Sequence, residues 1–169
     1  MKEDRRVLYT RRVIREAFLS LLESTSMENI TVKEICNLAD INRATFYRNY
    51  ADLYALYDAI EEDMVRVAFP DNNEEFNVLD LLRLIQANKA FYRELFRRTK
   101  ISTGSMRLIS RFSGKMRERM RIRLKPEDYE VYLRYAAYGV GGLLRDWLES
   151  DCELDAVMLA AQIERIVGI

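Results

Sequence analysis

The 169-residue chain is 49% hydrophobic and 32% charged, and its 27 basic and 27 acidic side chains leave a formal net charge of zero. It contains no histidine, the commonest general base and metal ligand, and its two cysteines, Cys36 and Cys152, form no CxxC pair. With no Gly-rich phosphate loop and no activated nucleophile in view, the composition argues against an enzyme, a metal centre or a cofactor.

Two prolines and six glycines favour long helices over sheets. The spacing predicts a first helix over 9–23, apolar at Val13, Ile14, Ala17, Phe18, Leu21 and Leu22. A basic arm with Lys2, Arg5, Arg6, Arg11, Arg12 and Arg15 is read ahead of it. Thr31 followed by Glu34 has capping-box spacing, opening a short helix with Ile35, Leu38 and Ala39 inward. Asp40-Ile41-Asn42 breaks that helix, and Asn42 suits the cap of another short one over 43–49. Longer helices follow over 52–69, with Leu53, Leu56, Tyr57, Ile60, Met64 and Val67 inward, and over 78–98. Pro70-Asp71-Asn72-Asn73 reads as the linker between them. Further helices are predicted over 106–124, 127–149 and 155–167, with Pro126 in a first helical turn. No segment reads as a strand, so the expected fold is all-α.

Two short helices joined by a tight turn behind a longer one form a helix-turn-helix unit, here over 31–50. Its second helix can enter the major groove, where base edges carry a distinguishable donor and acceptor code. The neutral total does not oppose this, because charge is strongly blocked. Residues 93–125 hold 12 basic and 2 acidic side chains, whereas 51–92 and 126–169 each hold 3 and 9. The basic block reads as pairing with the acidic helices around it, with a site for an anionic effector or partner as the alternative.

The run Ile30-Thr31-Val32-Lys33-Glu34-Ile35 and the run Arg43-Ala44-Thr45-Phe46-Tyr47-Arg48-Asn49-Tyr50 resemble the tetracycline-repressor (TetR) family of regulators. The resemblance implies an N-terminal three-helix DNA-binding domain over 1–68 and a helical bundle over 69–169 that dimerises. By the same resemblance, Thr31 would cap its helix and offer a hydroxyl or amide to a phosphate. Arg43, Ala44 and Thr45 would face base edges, Tyr47 would reach the sugar-phosphate backbone, and Arg48 and Asn49 would contact groove or backbone. Phe46 and Tyr50 would look inward. Two residues depart from the pattern: Asp40 stands at a turn position usually held by glycine, and Leu53 where a phosphate-contacting lysine is common.

The stretch from Tyr132 to Leu148 resembles the short C-terminal domain of Firmicutes-type members. Gly139, Gly141 and Gly142 inside a helix each cost up to about 1 kcal/mol against alanine, which points to another backbone approaching there. Tyr92, Phe96, Phe112, Met116, Tyr135, Tyr138, Arg145 and Trp147 are the candidate lining of a ligand pocket, with core packing as the competing role. The expected function is a cytoplasmic, homodimeric repressor of an adjacent operon. It would bind a palindromic operator in double-stranded DNA and be released by a small-molecule effector, with no membrane partner. The alternative is a co-activator or interaction protein whose C-terminal body binds a protein.

Overall fold

The computed structural model describes residues 5–68, 77–97 and 125–167. Eight α-helices and two 3₁₀ turns make up the regular structure of the described residues, which contain no strand. The fold is all-α. The helices are α1 (Arg5–Leu22), α2 (Val32–Leu38), α3 (Arg43–Asn49), α4 (Leu53–Ala68), α5 (Val78–Ala87), α6 (Lys89–Arg97), α7 (Tyr129–Glu149) and α8 (Ala156–Val167). None of them is long and apolar enough to cross a membrane. The chain divides into two compact units, Met1–Asp63 and Met64–Ile169, and the division falls within α4.

In the first unit α1 packs on α2 and α3, because its buried side chains Ile14, Ala17, Phe18 and Leu22 recur at helical spacing. Ile35 and Cys36 from α2, Phe46 from α3, and Leu56, Tyr57 and Ile60 from α4 complete this core. Phe18 meets Tyr57 edge to face at 6.5 Å, and Arg15 Nη1 bonds Asp63 Oδ2 at 3.1 Å. The expected arm is different in form: α1 begins at Arg5, so Arg5 and Arg6 occupy its first turn. Leu38, expected inward, is 54% exposed, and Cys36 takes the interior place beside Ile35. Val67 is likewise 65% exposed on α4, where Met64 is buried as expected and Val65 is buried in place of Val67.

In the second unit α5 packs on α8 and on α6, while α6 packs on α7. The helix predicted over 78–98 is two helices, because Asn88 leaves helical geometry at φ −128° and ψ 38°. Its side chain holds that bend by donating to Leu84 O at 2.9 Å. The interior is built from Val78, Leu82, Ile85, Phe91, Tyr92, Leu95, Val140, Leu144, Trp147, Leu148, Leu159 and Ile163. The α7–α8 turn passes through two left-handed residues, Asp151 at φ 55° and Cys152 at φ 62°. It is bolted down by Trp147 Nε1 donating to Leu154 O at 2.7 Å and by Arg93 Nε donating to Leu148 O at 2.9 Å. The predicted linker over 70–73 and helix over 106–124 lie outside the described residues.

Candidate nucleic-acid interface

Local chemistry fixes the ends of both short helices. Thr31 and Glu34 form a complete capping box on α2. Asn42 Oδ1 accepts from Thr45 N at 2.8 Å and caps α3. Between them the chain reverses through Asp40 at φ 52°, a left-handed conformation that aspartate tolerates better than most residues, and Ile41 N returns to Cys36 O at 3.0 Å. Seven residues are too few for an independently stable helix, so α3 depends on its anchor. That anchor is Phe46, which is fully buried, stands edge to face with Tyr47 at 5.5 Å and lies 6.0 Å from Tyr50. Burial raises the Tyr50 hydroxyl above its ordinary pKa, with Arg11 acting against the rise.

With Phe46 held inside, the rest of α3 turns outward. Arg43, Ala44, Tyr47 and Arg48 are exposed, Tyr47 at 54%, and Thr45 is half-buried. Among the described residues neither Arg43 nor Arg48 nor Lys33 of α2 has a carboxylate within ion-pair distance. Two cations of α1 differ: Arg12 lies 3.8 Å from Glu16 and Arg15 lies 3.1 Å from Asp63. Exposed charges without internal partners, beside a phenol and a small residue, are what a phosphate-lined groove with base edges at its floor requires.

Two of the expected contacts are differently occupied. Thr31 spends both its amide and its hydroxyl on Glu34 Oε2, at 2.8 and 2.6 Å, and so holds a carboxylate beside it. Asn49 donates through Nδ2 to Thr45 O at 2.9 Å, which leaves one amide hydrogen for any outside acceptor. Leu53 is half-buried at the start of α4, and Asp52 Oδ1 caps that helix by accepting from Ala55 N at 2.8 Å.

Sequence reasoning missed a feature of this surface. An open groove of about 500 Å³ runs between α2 and the turn into α3, lined by Lys33, Cys36, Asn37, Ile41, Asn42 and Arg43. Lys33 and Asn37 are four residues apart on α2, a spacing that puts both on one face and that was legible beforehand. Cys36 at the groove floor is buried, and desolvation raises its thiol pKa while Arg43 lowers it.

The described residues of the candidate pocket differ in exposure. Tyr92 and Trp147 are buried in the second unit and Phe96 is half-buried. Tyr135 and Tyr138 are 74% and 70% exposed, and Arg145 is exposed beside them. The reason is the phase of α7: Ala136, Val140, Leu144 and Trp147 take the inward face, leaving those three on the other side. Phe112 and Met116 lie outside the described residues.

Residues 72–168 match the family model of a transcriptional regulator C-terminal region of the TetR type. The chain belongs to the TetR family of transcriptional regulators. It is 30% identical over 93 residues to the HTH-type dhaKLM operon transcriptional activator DhaS of Lactococcus lactis subsp. lactis (strain IL1403), over 53% of this chain and 50% of that protein. It is 22% identical over 166 residues to the HTH-type transcriptional regulator YxbF of Bacillus subtilis (strain 168), over 92% of this chain and 44% of that protein. The chain thus spans about half the length of the curated relatives it matches. Among solved structures, a TetR transcriptional regulator from Streptococcus agalactiae 2603V superposes with a TM-score of 0.73 at 24% identity, over 98% of this chain and 97% of that one. The dihydroxyacetone kinase operon activator DhaS gives 0.71 at 22%, over 94% and 93%. These structures share the TetR fold with it.

Proposed function

We propose that this TetR-family chain is a homodimeric regulator whose first unit, together with the rest of α4 to residue 68, binds double-stranded DNA at a palindromic operator. The observation that carries this is the outer face of α3, where Arg43, Tyr47 and Arg48 stand exposed over a buried Phe46 and neither arginine has a carboxylate partner among the described residues. Arg43, Ala44 and Thr45 are assigned to base edges, and Tyr47, Arg48 and Asn49 to the backbone. Thr31 serves this surface by stiffening α2. The body over 69–169 supplies the dimer through α7 and α8. Val131, Tyr135, Tyr138, Val157 and Met158 are exposed there, more apolar surface than two neighbouring helices usually leave to water. A two-fold dimer of this kind places half-sites about 34–36 Å apart.

Selection of duplexes from a random library by the full chain, followed by binding measurements, tests the reading. The expected product is an inverted repeat bound less tightly by Tyr47→Ala and Arg43→Ala, with dimer and thermal melt retained. Unchanged affinity in both variants defeats the assignment of α3.

Within this function the first form is repression of a neighbouring operon, relieved by a small molecule. A second form is favoured by a specific observation: Tyr135, Tyr138 and Arg145 of α7 are exposed. A body of that kind suits a co-activator that binds a protein, and DhaS, its relative, is by name an activator. Run-off transcription from the bound promoter separates the two. Repression by the chain alone supports the first form, and stimulation that requires a second protein supports the other.

A further inference from the structure

The α7–α8 hairpin carries an exposed apolar face, with Val131, Tyr135 and Tyr138 from one helix and Val157 and Met158 from the other. The two helices rest on different supports, α7 on α6 and α8 on α5. Their mutual angle therefore depends on the turn between them, over residues 150–155, and on whatever fixes that turn. At the open end of the hairpin the Tyr132 hydroxyl donates to Val167 O.

The turn runs against the preference of its own residues. Asp151 and Cys152 are consecutive, neither is glycine, and both are left-handed, at φ 55° and φ 62°. Such a conformation persists only where the bonds around it over-determine it. From within the hairpin, Cys152 N donates to Trp147 O at 2.8 Å and Trp147 Nε1 donates to Leu154 O at 2.7 Å. From outside, the bonds come from α6. Lys89 and Arg93, one helical turn apart, both donate to Asp151 Oδ1, at 2.8 and 2.6 Å. Arg93 also donates through Nε to Leu148 O at 2.9 Å, at the end of α7 where helical geometry leaves carbonyls to spare. One planar guanidinium thus grips the last turn of α7 and the first left-handed residue together, which the point charge of a lysine does not do.

Arg93 belongs to neither helix of the exposed face, so its grip acts on that face by holding it in one shape before a second subunit arrives. Elements that are already ordered bind more tightly, because less ordering is left to association. We propose that Arg93 is a positioning residue for the dimer: it locks the α7–α8 turn and so presets the angle of the two helices that meet the second subunit. This rests on the reading of α7 and α8 as the dimer surface, and deepens it by naming a residue outside that surface on which assembly depends.

The full chain carries its own reporter, because Trp147 is the single tryptophan of the sequence and bonds across the turn. Dimer dissociation is measured by sedimentation velocity, and Trp147 emission is recorded at a matched fraction of dimer. Both are done at a temperature where the thermal melt of each variant shows it folded. Arg93→Gln should raise the dissociation constant by about fivefold or more and move the emission to the red. Arg93→Lys restores the charge but not the two-acceptor grip, and should fall between Arg93→Gln and wild type. Asp151→Asn should also weaken the dimer, and combined with Arg93→Gln it should cost less than the product of the two single effects. Arg83→Gln is the control: its pair with Asp80 lies within α5, and both readouts should keep their wild-type values.

An Arg93→Gln variant that dimerises with the wild-type constant overturns the proposal. So does a weakened dimer with unchanged Trp147 emission, because Arg93 then acts by touching the second subunit. An equal loss in Arg83→Gln overturns it as well, since the effect then traces to surface charge alone. A wild-type chain that stays monomeric at every concentration instead removes the dimer reading, and this proposal with it.

Discussion

Glu34 Oε2 accepts two hydrogen bonds from a single residue, Thr31: one from its amide at 2.8 Å and one from its hydroxyl at 2.6 Å. The hydroxyl in turn accepts from Glu34 N at 3.3 Å. The first effect of this closed exchange is to start α2 at a defined residue. The second is to hold the Glu34 carboxyl below its ordinary pKa, chiefly through the Thr31 hydroxyl and next through the Thr31 amide. A carboxyl whose pKa is lower in the folded state contributes stability above its unfolded-state pKa and loses it as pH falls through the folded value. Thr31→Ala is expected to destabilise the chain by about 1 kcal/mol at neutral pH. Thermal melts followed from pH 7 down to pH 3 should show the gap between wild type and Glu34→Gln closing in acid.

Asp40 gives a backbone prediction. Its φ of 52° carries the chain from α2 into α3. Glycine is unstrained there but adds freedom to the unfolded chain, so the two effects of Asp40→Gly oppose each other and the change should stay within about 0.5 kcal/mol. Asp40→Val, branched at Cβ, should cost about 1–2 kcal/mol. Urea unfolding of the two variants measures both, and equal stability for Val and Gly would contradict a strained turn.

Asp151 ties α6 to the α7–α8 turn. Its Oδ1 accepts from Lys89 Nζ at 2.8 Å and from Arg93 Nη2 at 2.6 Å, and these bonds, that from Lys89 first, lower its carboxyl pKa. By the same linkage the stabilisation is present above the unfolded pKa and fades as pH falls through the folded one. Asp151→Asn should therefore melt below wild type at pH 7 and match it once the medium is acidic enough to protonate Asp151. A gap independent of pH would place the effect in packing instead.

Gly142 separates the folding of the monomer from assembly. Among the described residues nothing lies within 4 Å of a Cβ built at Gly139, Gly141 or Gly142, so no described neighbour accounts for these glycines. In an isolated subunit Gly142→Ala should raise helix stability by up to about 1 kcal/mol. If a second subunit crosses α7 there, the added methyl should raise the dimer dissociation constant by about fivefold or more in sedimentation velocity. A variant that is more stable and equally dimeric places the crossing elsewhere.

The helix ends were readable because capping is local. Thr31 with Glu34, Asn42 with Thr45, and the left-handed Asp40 all act within a few residues, so linear order exposes them. The inward place of Phe46 came from the resemblance to the TetR family rather than from local chemistry, and Phe46 is fully buried. Asn88 was harder: an asparagine within an apolar repeat is compatible with a continuous helix, and only the bond from its side chain to Leu84 O marks the break. Leu38, Val67, Tyr135 and Tyr138 show the wider limit. Periodicity says that a helix has an apolar side, but not which apolar residues at its margin find a neighbour.

The helix-turn-helix at 31–50, on which the functional reading depends, was thus determined by the sequence itself, through caps and turn chemistry that act over three or four residues. Tertiary structure decided what that motif presents. It left Tyr47 exposed and Arg43 and Arg48 without a carboxylate partner among the described residues, and it brought Lys33 to the groove of Arg43. The physical reason is reach: a cap closes within one helical turn, whereas exposure and charge pairing are settled only when distant segments pack.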